Sequence, residues 1–217
     1  MIKENVKKIL KDLPEGVKLV AVTKKRTVAQ IKEAIEAGIE IIGENYVKEA
    51  QSKFKIIGKN VKWHLIGHLQ KNKVKKAVKI FDMIETLDSF ELARLIDKEC
   101  REINKIMPVL IEINIAKESQ KSGIFPQRLE ELIEKIIHFE NLKLVGLMTM
   151  GPLLDDPQKI RPFFKKTKEI FDKIKNLYQD KLDFKYLSMG MSDTYKVAIQ
   201  EGANIVRIGT AIFGPRI

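Results

Sequence analysis

The polar residues near the end of the chain have the types and spacing of an anion site. Arg207, Gly209 and Thr210 lie in the segment Asn204–Gly214, behind a short β-branched run. Gly209 lets a ligand approach the backbone without a Cβ in the way, and the Thr210 hydroxyl and the N–H groups that follow can donate hydrogen bonds, which suits phosphate. Arg207 points to the same strand face as Gly209. The alternative is a buried strand that ends in an ordinary glycine turn, with Arg207 in a structural ion pair.

A second reactive candidate, Lys24, directly follows the apolar run Leu19–Thr23. Burial and nearby cations, here Lys25 and Arg26, lower the pKa of an amine. A neutral lysine amine can attack an aldehyde and form a Schiff base. The alternative is a solvent-facing lysine in a basic loop, as most lysines are.

The other candidates form no recognisable catalytic or metal-binding set. His64 follows Trp63 inside an apolar run, which favours a core histidine with one hydrogen bond. No histidine and carboxylate spacing matches a metal site, so no metal is predicted. GxSxG, Walker A and CxxC motifs are missing from the sequence. The single cysteine, Cys100, cannot form an internal disulfide.

A repeating order of strands and helices would position these residues. Short apolar runs alternate with helical patterns, which is typical of a parallel sheet covered on both faces. The runs that predict strands are Leu19–Thr23, Ile39–Asn45, Val61–Gly67, Met83–Asp88, Pro108–Ala116, Leu142–Met150, Lys185–Met189 and Asn204–Gly209. Together they predict a closed (β/α)₈ TIM barrel, an α/β fold, as one domain over residues 1–217. A doubly wound open sheet is the alternative, although no GxGxxG fingerprint follows the first strand.

In such a barrel the functional groups lie at the carboxyl ends of the strands, so the polar residues above would meet at one rim.

The net charge is +11, from 40 Lys+Arg against 29 Asp+Glu. The lysines are spread over nearly every predicted helix without interleaved aromatics, which favours solvated helix faces over nucleic-acid binding. No apolar run is long enough to span a bilayer, and the N-terminus is predicted as a charged helix and not a signal peptide, so we expect a cytoplasmic protein without membrane contact.

Six segments from Lys18 onward carry a resemblance to a known family. They are AVTKKR, GENYVKEA, WHLIGHLQKNK, INIAKESQKSGI, GLMTM and LSMGMSDTYKVAIQEGANIVRIGTAIFG. Together and in this order they resemble the pyridoxal phosphate homeostasis proteins, a stand-alone barrel related to the N-terminal domain of alanine racemase. The resemblance implies that barrel, known as fold type III among proteins that use pyridoxal 5′-phosphate (PLP).

The resemblance also implies that PLP is bound as an aldimine to Lys24. Six further residues are implied as cofactor contacts: Ser188, Gly209 and Thr210 at the phosphate, Arg207 at the pyridine nitrogen, Asn45 near the ring and, in second place, His64. The sequence departs from the family at Thr23, where serine is usual, and at Lys25–Thr27, where Thr-Lys-Pro is common. Neither departure touches Lys24.

The implied site favours a carrier over an enzyme. Arg207 would disfavour a protonated pyridine ring, and an unprotonated ring is a weaker electron sink. Racemisation needs acid or base groups on both faces of the substrate. Alanine racemases take one from a second domain, which we expect to be lacking because the sequence stops at Ile217.

We therefore expect a protein of intracellular PLP homeostasis that buffers PLP or delivers it to PLP-dependent apoenzymes. It would have no catalytic residue of its own and would be a monomer or a weak dimer. A PLP-dependent racemase or related enzyme, with Tyr46 or His64 as a base, is the alternative. A basic nucleic-acid-binding protein is a third possibility, motivated by charge alone.

Overall fold

The fold is a closed barrel of parallel strands. It is given by a computed structural model that describes residues 1–118, 120–152 and 154–215. In these ranges eight strands alternate with helices and pair in chain order, and the first strand also pairs with the eighth. The predicted (β/α)₈ barrel is confirmed, and the open doubly wound sheet is wrong.

The strands and helices have the following bounds. The strands are β1 Lys18–Val22, β2 Ile41–Glu44, β3 Lys62–Leu65, β4 Met83–Leu87, β5 Met107–Glu112, β6 Leu142–Met148, β7 Tyr186–Ser188 and β8 Ile205–Ile208. The helices are α1 Ile2–Asp12, α2 Val28–Glu36, α3 Val47–Ile57, α4 Val74–Ile80, α5 Phe90–Arg101, α6 Leu129–Ile136, α7 Arg161–Leu177, α8 Tyr195–Gln200 and α9 Thr210–Phe213. Single 3₁₀ turns cover Lys71–Lys73, Pro126–Arg128 and Pro157–Ile160. No helix in the described ranges has the length and apolar character needed to cross a bilayer.

Each predicted strand run overlaps one observed strand, but the fifth run was predicted too long. β5 ends at Glu112, four residues before the expected end at Ala116. The cause is local, because the Asn114 side chain accepts a hydrogen bond from the Glu118 N–H at 3.1 Å and donates to the Glu118 carbonyl at 2.7 Å. Such side-chain bonds to the backbone compete with a sheet ladder and turn the chain into a loop.

Alternate strand residues pack into two separate cores. Outward residues such as Ala21, Ile42 and Val206 pack with the helices in the larger core. Inward residues such as Val20 and Leu110 form a smaller cluster inside the barrel. Burial on both faces explains why the strands are apolar almost throughout.

The inside of the barrel is apolar toward the amino ends of the strands and mixed toward the carboxyl ends. We call five of its apolar side chains the lower layer: Val20, Ile41, Met83, Leu110 and Ile205. Further along the strands lie five buried polar side chains, which we call the upper layer: His64, Glu85, Glu112, Ser188 and Arg207. The upper layer lies toward the carboxyl ends of the strands, where barrel proteins carry their sites.

Candidate functional site

Within the described residues, two adjoining cavities open at the carboxyl ends of the strands. The lysine cavity, of about 160 Å³, brings together five of the seven predicted cofactor contacts: Lys24, Asn45, Arg207, Gly209 and Thr210. The Glu112 cavity, of about 350 Å³, lies beside it, and the two share the lining residues Asn45, Ile66, Met150 and Met191. The lysine and the predicted anion site therefore face the same space, because β8 and β2 flank β1.

Buried ionic contacts fix the backbone that carries Lys24. Lys24 follows β1 and is half-buried. The Lys53 amine donates to the Thr23 carbonyl at 2.7 Å and to the Glu44 carboxylate at 2.6 Å. Glu44 also accepts from the Thr23 hydroxyl at 2.7 Å, and burial raises the pKa of its carboxyl despite these bonds. Our sequence prediction missed Glu44 and Lys53, whose pairing depends on how α3 packs beside β2.

Asn45 supplies an acceptor that the protein does not satisfy. Asn45 directly follows β2 and borders both cavities. Its Oδ1 atom is buried, and no hydrogen-bond donor among the described residues reaches it. Buried polar atoms almost always have a partner. The missing donor at this position is what a ligand hydroxyl or amine would provide.

Backbone N–H groups converge after β8, where the sequence predicts an anion site. The N–H groups of Gly209 and Ala211 both point to the Ser192 hydroxyl oxygen, at 3.3 Å each. A Cβ on Gly209 would lie 3.3 Å from the Val22 Cβ, so a larger residue would crowd β1. The exposed Thr210 stands between the two donors. Ser192 is an additional candidate that our sequence prediction missed.

Ser188 lies elsewhere, although it shares a sequence segment with Ser192. It ends β7, points into the barrel and is fully buried. The structure does not bring Ser188 or His64 to the lining of the lysine cavity. The phosphate contact expected for Ser188 is therefore not supported by its placement, because side-chain alternation turns this serine into the upper layer.

The upper layer holds Arg207 in a chain of hydrogen bonds. The Arg207 guanidinium donates to the Ser188 hydroxyl at 2.6 Å and to the Thr149 carbonyl at 2.8 Å. Ser188 in turn donates to Glu85 at 2.6 Å. His64 Nδ1 lies 2.6 Å from the other Glu85 oxygen. We call Arg207, Ser188, Glu85 and His64 the arginine network.

The arginine network balances a buried cation with a buried anion. Burial lowers the pKa of Arg207, while the charges of Glu85 and Glu112 oppose that change. Burial alone would raise the pKa of Glu85, but the hydrogen bond and charge of His64, the Arg207 charge and the Ser188 hydrogen bond bring it below its ordinary value. Glu85 is thus the counter-charge of Arg207. Our sequence prediction missed it, although a carboxylate inside the apolar run of β4 was a visible signal.

Glu112 is another buried carboxylate that our sequence prediction missed. It is the last residue of β5, is only 7% exposed and borders the Glu112 cavity. Burial raises its pKa to about 7, Asp88 adds to the rise and Arg207 opposes it. No hydrogen bond or ion pair to its carboxyl occurs in the described part of the chain.

The lysine cavity has the groups to hold an anionic aldehyde. It combines a lysine amine, a guanidinium, converging N–H groups and an unsatisfied acceptor. Within the described ranges, no group of three or more His, Cys, Asp or Glu side chains could hold a metal ion. The groups that line the cavity can support the chemistry of an amine and its neighbouring charges.

The sequence is similar to those of known proteins. The model of the alanine racemase N-terminal domain family matches residues 1–216. A pyridoxal phosphate homeostasis protein of Aquifex aeolicus (strain VF5) is 42% identical over 187 residues, which cover 86% of this chain and 81% of that protein. Another, of Pasteurella multocida (strain Pm70), is 40% identical over 207 residues, covering 94% and 88%. The similarity extends along most of the chain.

Solved structures show the same fold. PipY of Synechococcus elongatus PCC7942, solved without PLP, is 31% identical with a TM-score of 0.93 and covers 99% of this chain and 100% of its own. The same protein with PLP bound gives a TM-score of 0.91 at the same identity and coverage. An alanine racemase of Clostridium difficile 630 gives 0.82 at 17% identity and covers 99% of this chain and 56% of its own. At that identity, the likeness concerns the fold alone.

Proposed function

The chain belongs to the alanine racemase N-terminal domain family, and on this premise we propose that it binds PLP and serves PLP homeostasis in the cytoplasm. The relatives named pyridoxal phosphate homeostasis proteins and the PLP-bound PipY support this function. The protein acts as a carrier that buffers PLP or delivers it to PLP-dependent apoenzymes, without strong catalysis of its own.

The observation that carries the proposal is the unsatisfied Oδ1 of Asn45 in the cavity that Lys24 borders. A buried acceptor without a donor costs about 1–3 kcal/mol. PLP carries a hydroxyl on one side of its aldehyde and a phosphate-bearing methylene on the other. The residues fit that group, since an acceptor, an amine and converging N–H groups face one space.

Each residue at the lysine cavity then has a role toward PLP. Lys24 would hold the aldehyde carbon through its amine, and Asn45 would accept from the hydroxyl. The N–H groups of Gly209 and Ala211, with the hydroxyls of Ser192 and Thr210, would hold the phosphate. These four donors replace the water shell that an anion loses on binding.

Arg207 determines what the bound cofactor can do. When bound, PLP can act as an electron sink for reactions of amines. Arg207 would face the ring nitrogen and donate a hydrogen bond to it, while its positive charge disfavours a proton on that nitrogen. Ser188, with His64 behind Glu85, holds Arg207 in this orientation without touching the cofactor. The electron sink is weak in this arrangement, which suits storage better than turnover.

No observation among the described residues favours the racemase alternative. Tyr46 is 60% exposed and lines a surface groove, and His64 is buried against Glu85. Neither side chain borders the lysine cavity. Neither candidate base is therefore available for a reaction at the lysine cavity.

The test is the visible absorption spectrum of the full chain with added PLP, before and after borohydride. We expect an absorption band that reduction shifts, and peptide mapping should then find the reduced cofactor on Lys24. Lys24→Ala should abolish the band, whereas Lys25→Ala, the matched control at the exposed neighbour, should leave it unchanged. An unaltered band in Lys24→Ala would contradict the assignment, and fast turnover of a free amino acid would contradict the carrier function.

A further inference from the structure

The Glu112 cavity contains a carboxyl group that neither the fold nor the proposed cofactor contacts use. At about 350 Å³ it is the larger of the two adjoining cavities, and apolar residues such as Ile113, Ile115 and Met150 form much of its lining. Glu112, at 7% exposure, sits among them without a hydrogen bond or ion pair in the described ranges. A largely buried carboxylate without a donor is costly, and its place at a cavity points to a ligand.

The two cations that act on Glu112 or line its cavity, Arg207 and Lys121, are already engaged. Arg207 donates to Ser188 and to a backbone carbonyl. Lys121, which lines the same cavity, donates to Glu118 at 2.7 Å and to the Gly151 carbonyl at 3.0 Å. Neither of these two cations is therefore available to pair with Glu112, and a ligand could supply the positive partner.

We propose that the Glu112 cavity binds an alkylammonium group, a primary amine on a short apolar chain, with the Glu112 carboxylate as its counter-charge. The apolar lining would bury the methylene groups, and the carboxylate would accept from the ammonium. A free alkylamine has this chemistry, and so does a lysine side chain that projects from a partner protein. Both would reach Glu112 through the open end of the barrel.

The position of this site has a consequence for the proposed function. This consequence rests on that function, whereas the amine site itself does not. The two cavities share Asn45, Ile66, Met150 and Met191. An amine bound at Glu112 would lie beside the space that Lys24 borders. The site would thus bring an acceptor amine next to the cofactor that the protein has to deliver.

The test is calorimetric titration of the full chain with n-butylamine. One sample is loaded with PLP and reduced with borohydride, so that the amine cannot react with the aldehyde, and a second contains no PLP. We expect binding in both samples and a loss of about tenfold or more in Glu112→Gln, because a charged hydrogen bond is removed. Glu91→Gln is the matched control, since it removes the same charge from an exposed position outside the cavity and should bind as the wild type does.

Two further arms define the ligand. n-Butanol, which has the same apolar chain without the charge, should bind at least about tenfold more weakly than n-butylamine. A short lysine peptide with blocked termini distinguishes the two sources. Binding of this peptide would identify a protein lysine as the ligand, and binding of n-butylamine alone would identify a free amine.

A pH series tests the amine site in the wild-type chain, without relying on the Glu112→Gln variant. The charged and titratable groups around Glu112 are Asp88, Arg207, His68 and Lys121, and His68 lies 3.6 Å from Asp88. Below pH 7 Glu112 becomes neutral, so wild-type affinity should fall by about tenfold or more between pH 8.5 and 5.5. The part of the pH dependence that disappears in Glu112→Gln measures the contribution of Glu112.

Equal affinity of the wild type and Glu112→Gln, or no binding to the wild type, would overturn the proposal. If n-butylamine bound the PLP-free chain but not the chain with reduced PLP, the side-by-side arrangement of the two sites would be overturned. A chain that takes up no PLP but binds n-butylamine through Glu112 would overturn the proposed function and leave the amine site standing.

Discussion

Glu85 and Glu112 lie on neighbouring strands of one barrel, and burial is almost all that they share. Glu85 is fully buried, receives hydrogen bonds from Ser188 and His64, and has a pKa below its ordinary value. Glu112 is almost as buried and has no partner in the described chain, and its pKa is raised to about 7. The difference in surroundings makes Glu85 a stable anion and leaves Glu112 poised between two charge states near neutral pH.

This comparison separates two uses of a buried carboxylate. Glu85 completes the arginine network and so helps to orient Arg207. Glu112 faces a cavity and stabilises nothing that the described residues show. A group that costs stability is typical of a functional site, and a group with full hydrogen bonding is typical of a supporting scaffold.

The largest expected effect is from Glu85→Gln, which should destabilise the protein by about 3–5 kcal/mol. The change leaves Arg207 buried without its counter-charge, and the amide cannot accept from both Ser188 and His64 at once. Urea denaturation at neutral pH measures the loss of stability. Glu112→Gln is the matched control, because it is the same substitution on the neighbouring strand. A loss below about 1 kcal/mol would mean that Glu85 is not the counter-charge of Arg207.

Glu112→Gln should act with the opposite sign. In the folded protein the pKa of Glu112 is about 7, above the ordinary value of 4.5. The folded state therefore binds the proton more tightly, so the stability from Glu112 is present below pH 4.5 and is lost as the pH rises to about 7. Glutamine removes this loss, and Glu112→Gln should be more stable than the wild type by an amount on the order of 3 kcal/mol at pH 8.

The same comparison at pH 4 is the internal control, since both folded and unfolded states then carry a largely neutral Glu112. Urea denaturation of both proteins at the two pH values measures the difference. An equal stability gap at pH 4 and pH 8 would show that Glu112 is ionised as easily in the folded state as in the unfolded chain. Loss of the amine site together with a gain in stability would fit a residue kept for binding.

The fold was predictable because its signals are local. Apolar runs can be recognised from neighbouring residues alone. So can glycines that end helices, such as Gly38 and Gly202, which take a positive φ after α2 and α8. The grouping of Lys24 with Arg207 followed from the barrel, because closure brings the first and last strands together. The residues at the carboxyl ends of the strands could thus be assigned to one rim from the fold alone, without any knowledge of side-chain contacts.

The contacts inside the barrel could not be predicted in this way. Ser188 and Glu85 are 103 residues apart, and their hydrogen bond depends on the tilt and closure of all the strands. Which polar residues meet is set by that geometry and not by spacing along the chain. Alternation does say which residues of a strand point inward, but it applies only once the end of the strand is known, and β7 is just three residues long.

The smallest expected effects distinguish Ser188 from Ser192. Ser192→Ala removes the hydroxyl on which the Gly209 and Ala211 N–H groups converge. It should weaken PLP binding by about tenfold, the worth of one hydrogen bond, and change the free energy of unfolding by less than about 0.5 kcal/mol, because water can replace the hydroxyl. An absorbance titration with PLP and urea denaturation measure the two effects.

Ser188→Ala should show the reverse. It leaves Arg207 and Glu85 each short of one buried hydrogen bond, which should cost about 1–3 kcal/mol of stability. PLP binding should weaken by less than about threefold, since Ser188 reaches the lysine cavity only through Arg207. If Ser188→Ala instead weakened PLP binding as much as Ser192→Ala at unchanged stability, Ser188 would be the phosphate contact after all. That result would also show that the serine at the end of β7 leaves the arginine network when the cofactor binds.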